Sequence, residues 1–73
     1  MGAAHVMVER LVKAIKIEDS RIAMFADSIR SATDRGDFDY AANMVGERRD
    51  STKRRDYLLG TLSELRDLIA IEG

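Results

Sequence analysis

Apolar residues recur through the first half of the chain at alternating steps of three and four: Val8, Leu11, Ile15, Ile22, Phe25, Ile29 and Ala32. That spacing places them on one stripe of a helix. No proline occurs in the 73 residues, so nothing interrupts the stripe by removing a backbone donor. A chain with this pattern is committed to long helices before any other feature is weighed. The spacing predicts a helix from about Val6 to Asp34, a rod of roughly 40 Å at 1.5 Å per residue. Val12, Ile17 and Ala26 widen the stripe beyond a strict seam, as a bundle helix requires. One step of the pattern, between Ile15 and Ile22, falls on a polar residue, Glu18.

The clear punctuation lies near the middle, in Arg35-Gly36-Asp37. Gly36 can take the left-handed conformation that closes a helix. Asp37 can cap the next helix by accepting hydrogen bonds from free N–H groups, and Asp39 suits its positive end. The expected order is helix, tight turn, helix. The second helix is less regular. Ala41, Met44 and Val45 open an apolar face, and Leu58, Leu62, Leu65, Leu68 and Ile69 complete it. Residues 46–56 between them carry no apolar side chain. Either a loop splits this half, with Asp50 or Ser51 capping a third helix, or one long helix has a polar middle. Gly46 and Gly60 each weaken a helix by about 1 kcal/mol relative to Ala.

Register favours the long helix. In an antiparallel hairpin folded about Gly36, facing residue numbers sum to about 73. Ile29 then faces Met44, Ile15 faces Leu58, Leu11 faces Leu62 and Val8 faces Leu65. Glu18 and Asp19 come level with Arg54 and Arg55, so the polar interruption of one helix meets the polar stretch of the other. The fold class expected is all-α: one helical-hairpin domain over residues 1–73. Residues 1–5 read as a frayed or appended stretch, with Met7 an alternative start.

Two helices bury one stripe each, and below about 70–80 residues a single core supplies only a few kcal/mol. The surplus apolar area, including Leu59 and Leu68, needs a partner. A second copy, giving a four-helix bundle from two hairpins, is the simplest; a heterologous helical protein is the rival. The interface expected comprises Val8, Leu11, Ile15, Ile22, Phe25 and Ile29 of the first helix. Met44, Leu58, Leu62, Leu65 and Ile69 complete it from the second. Arg48, Arg55 and Glu18 are expected to form a central ion-pair layer that fixes register.

The basic run Arg48, Arg49, Lys53, Arg54 and Arg55 is the candidate phosphate-binding element, most plausibly for a nucleic-acid backbone. Interleaved Glu47, Asp50 and Asp56 favour a salt-bridged face instead, with Arg49 and Lys53 pairing along the helix. No aromatic platform for stacking on single strands accompanies the run. Phe38, Tyr40 and Tyr57 are expected to be core or half-core residues.

Other chemistry finds little footing. The chain has no cysteine and one histidine, His5. That excludes disulfides and cysteine-based zinc sites, and the E-x-x-H pairs of a di-iron bundle do not occur. Asp34, Asp37 and Asp39 do not match the spacing of a calcium loop. No serine has a patterned histidine base, and no glycine-rich phosphate loop occurs. The expectation is no catalytic residue, no metal and no cofactor. No run of about 18 apolar residues is present and no export signal is readable, which together with the missing cysteine points to a cytoplasmic protein without membrane contact.

The layout resembles two kinds of small helical hairpin. Its elements are a long helix, the turn Arg35-Gly36-Asp37, and a second amphipathic helix with an apolar end from Leu58 to Ile71. One kind is the plasmid copy-number regulator, which dimerises into a four-helix bundle and binds RNA hairpins. The other is the small co-chaperone of type III secretion needle subunits. The first resemblance implies a dimeric regulator that contacts nucleic acid. The second implies a chaperone or adaptor for an amphipathic helix. The residues themselves point to a non-enzymatic interaction protein that presents apolar helix faces to itself or to a partner.

Overall fold

The computed structural model describes residues 2–72. It contains two helices, α1 (Ala3–Asp34) and α2 (Phe38–Glu72). They lie side by side as an antiparallel hairpin with overall dimensions of 55 × 15 × 12 Å. The long-helix reading of the second half therefore holds, and residues 46–56 are helical throughout. Arg, Lys and Glu are good helix formers despite their polarity. They carry α2 across the stretch that lacks apolar side chains. Asp50 and Ser51 do not cap a third helix; both lie inside α2. Thr52 and Thr61 turn their hydroxyls back onto the carbonyls of Arg48 and Tyr57, at 2.9 and 3.0 Å. This is the usual way a threonine is accommodated within a helix.

α1 starts three residues earlier than the apolar pattern indicates. Ala3 and Ala4 are strong helix formers. Gly2, in an extended conformation, takes the cap position, and its carbonyl accepts the His5 N–H at 3.2 Å. Its end falls at Asp34, as expected. There Gly36 has φ +77°, the left-handed region that a residue with a Cβ enters only at a cost. This turn lets the Gly36 N–H donate to the Thr33 carbonyl at 3.1 Å and the Asp37 N–H to the Ala32 carbonyl at 2.9 Å. Both satisfy carbonyls that the helix end leaves free. Asp37 then caps α2: its carboxylate accepts the Tyr40 N–H at 3.3 Å and its carbonyl accepts the Ala41 N–H at 3.1 Å.

Beside the turn Ala32 is fully buried and Ala41 nearly so. Of the eleven residues expected along the seam, Ile15 and Leu62 are buried and the rest are half-buried. Val12 and Ala26 are half-buried too, while Ile17 is exposed. The aromatic expectation fails. Tyr57 is 75% exposed, Phe38 67% and Tyr40 43%. Each lies on a helix flank that the single facing helix does not reach. No described helix is long and apolar enough to cross a membrane.

Candidate functional site

The polar centre of the hairpin lies about halfway along both helices. Glu18 occupies a seam position of α1 and is buried to 5% exposure. Burying a carboxylate is costly unless it is paired. Glu18 is paired twice: Arg21, one turn further along α1, donates from Nη1 to Oε1 at 3.0 Å, and Arg54 of α2 donates from Nε to Oε1 at 3.2 Å and to Oε2 at 3.4 Å. Arg54 also donates from Nη2 to the Ser51 hydroxyl at 3.1 Å. Ser51 is fully buried. Its small side chain leaves room beside Glu18 and its oxygen satisfies one more guanidinium donor. The Arg21 and Arg54 side chains are half exposed, at 51% and 52%.

A second pair lies on the other side of the seam. Arg55 donates from Nη1 to Asp19 at 3.4 Å and from Nη2 to Asp56 at 3.3 Å. The Asp56 carboxylate first, and then Asp19, hold the Arg55 guanidinium above its already high ordinary pKa. Its Nε is shielded from water and has no hydrogen-bond partner among the described residues. The facing numbers of these pairs, Glu18 with Arg54 and Asp19 with Arg55, sum to 72 and 74. The register expected from the sequence is the one observed.

The composition of the ion layer is corrected. Arg48 does not join Glu18; it is exposed on α2. Arg55 turns to Asp19 and Asp56. The residues that serve Glu18 are Arg21 and Arg54, together with Ser51. A seam position occupied by serine between charged residues was the available signal for Ser51. The five-residue basic run is thus split. Arg54 and Arg55 are engaged within the hairpin. Arg48, Arg49 and Lys53 make no ion pair among the described residues, so the pairing expected for Arg49 and Lys53 along the helix does not form. With Val45 and Thr52 these three cations line one shallow surface hollow of α2. Among the described residues no group of three or more His, Cys, Asp or Glu side chains is placed to hold a metal ion.

Comparisons with protein-family models, with curated proteins and with solved structures gave no match. The function is therefore argued from this geometry alone.

Proposed function

We propose that the chain is a non-enzymatic helical interaction protein whose work is association: two hairpins complete a four-helix bundle. The carrying observation is the pattern of burial. Ile15, Ala32, Ala41 and Leu62 are the buried apolar residues among those described, whereas Met7, Ile17, Met24, Leu68 and Tyr57 stay 51–75% exposed. Removing apolar surface from water is worth roughly 25 cal/mol per Å², and a lone pair of helices leaves most of that stabilisation unused. The same faces suit a helix of another protein, which is the adaptor form of this reading. A cysteine-free chain also suits a reducing compartment such as the cytoplasm. Sedimentation equilibrium from low micromolar to high micromolar concentration tests the proposal. The expected species is a dimer of the 8.2 kDa chain; a helical monomer across the whole range counts against self-association.

A second reading rests on a separate observation, the three unpaired cations Arg48, Arg49 and Lys53 around one hollow. They suit phosphates of a nucleic-acid backbone. Each phosphate neutralised steepens the salt dependence of binding by a slope of roughly 0.9. Duplex or hairpin RNA binding that does not weaken with salt removes this reading.

A further inference from the structure

The ion pairs distinguish the two long faces of the hairpin. Arg21 and Arg54 reach Glu18 from one side, while Asp19 and Arg55 meet on the other. A hollow lined by Ser28, Ser31, Arg35 and Tyr40 places Tyr40 on the Arg21 side. Heptad steps extend this face along both helices. They lead from Arg21 to Met7, and from Arg54 to Tyr40 and Leu68. The adjoining columns bring Ile17 and Met24 of α1 and Tyr57 and Ile71 of α2. All seven apolar residues are at least 43% exposed. The opposite face carries Phe38, Val45 and Leu59 from the same exposed class. The Arg21 side is therefore the richer apolar face. Its make-up of Met, Tyr and Ile around half-exposed Arg is the composition enriched at protein interfaces.

We propose that two copies stack through this face with their turns at the same end, each α1 lying on the partner's α2 about a two-fold axis that runs along the rods. The inference rests on the self-association reading above and specifies its face and polarity. Equal heights in this arrangement have residue numbers summing to about 73, the register of the hairpin itself. Ile17 then lies against the partner's Tyr57, and Met7 against the partner's Leu68. Arg10 comes level with the partner's Glu64, and Arg21 comes within reach of the partner's Asp50. Arg10, Asp50 and Glu64 have no ion pair within the described hairpin, so the stacking supplies opposite charges to groups that lack them. Turns at opposite ends would instead lay α2 on the partner's α2, with Arg54 near its own symmetry mate; turns at the same end bring Arg21 near the partner's Arg54, with the partner's Asp50 one turn away to offset the two charges. A long face of a rod 55 by 15 Å is of the order of the roughly 800 Å² per partner that a stable interface occupies.

The test uses the full chain in two measurements. Tyr57→Asp should weaken the dimer at least tenfold in sedimentation equilibrium, whereas Leu59→Asp on the opposite face should leave the association constant within about twofold. Circular dichroism should show both variants as helical as the parent. In the second measurement a spin label is placed on Asp34→Cys, the one thiol in the molecule, beside the turn. Turns at the same end put the two labels within about 30 Å, from interaxial spacings of 8–10 Å and the label arms. Turns at opposite ends separate them by more than about 40 Å at 1.5 Å per residue. A long distance, or a dimer that survives Tyr57→Asp and dissociates with Leu59→Asp, overturns the face or polarity proposed here and leaves self-association standing. A parent chain that stays monomeric overturns both and assigns the face to a different helical partner.

Discussion

Replacing Glu18 by leucine should make the isolated hairpin more stable and its assembly weaker. Glu18 is 5% exposed, so a leucine there would be almost wholly buried, a gain of about 1.5–3 kcal/mol. Against this stands the loss of the hydrogen bonds from Arg21 and Arg54. Both arginine side chains are about half exposed and can turn to water, so the loss of these two half-buried pairs is about 0–1 kcal/mol each. The net gain is about 1 kcal/mol, because the arginines left behind can reach water, unlike the charge stranded when a fully buried pair loses one partner. For a domain of this size it corresponds to a rise in melting temperature of roughly 4–8 °C. The opposite truncation has the opposite sign. Arg54→Leu leaves a covered carboxylate with Arg21 alone, at a cost of about 1–3 kcal/mol. In a stacked dimer Arg21 and Arg54 lie in the contact face, and without Glu18 their charge is uncompensated. Urea unfolding of both variants at a concentration where the hairpin is monomeric, and sedimentation at a higher one, separate the effects. A Glu18→Leu hairpin less stable than the parent by more than about 1 kcal/mol, or one with unchanged dimerisation, refutes the reasoning.

The glycines give two further outcomes. Gly36→Ala should cost about 1–2 kcal/mol, because the residue at φ +77° would have to hold a Cβ in the left-handed region; a melting temperature unchanged from the parent would contradict the turn described. Gly60→Ala should stabilise by about 1 kcal/mol, since an added Cβ there meets nothing within 4 Å and the site lies within α2. Thermal denaturation at matched concentration measures both.

Periodicity made the turn, the helix end at Asp34 and the facing register readable in the sequence. The match of Glu18 and Asp19 with Arg54 and Arg55 follows from counting outward from Gly36, and it decided between two helices and three. Periodicity could not show which of two adjacent arginines serves which acid. Arg54 and Arg55 stand about 100° apart on the helix, on either side of the seam, and long side chains swing either way. Arg48, a seam position by count, leans into solvent for the same reason. The aromatic residues misled because apolar character signals burial somewhere, not burial within one chain. Tyr57 is three-quarters exposed on a helix whose other flank residues, Phe38, Leu68 and Ile71, are also exposed. Ser51 reads as a candidate helix cap in the sequence because a serine in a charged stretch looks like a solvent residue until the opposite helix is in place.

The turn at Gly36 also orders the events of folding. Every contact between α1 and α2 closes a loop centred on it, and closure entropy grows with loop length. Ala32 and Ala41, the buried apolar residues nearest the turn, enclose a short loop, and contacts there are the least costly to make first. Contacts farther from the turn close progressively longer loops. Midway lie Glu18, Arg54 and Ser51, where a helix shifted by one turn would leave the buried Glu18 carboxylate with Arg21 alone. The polar centre thus favours the aligned hairpin over one shifted by a turn, because only the aligned register gives Glu18 and Asp19 their arginines from α2.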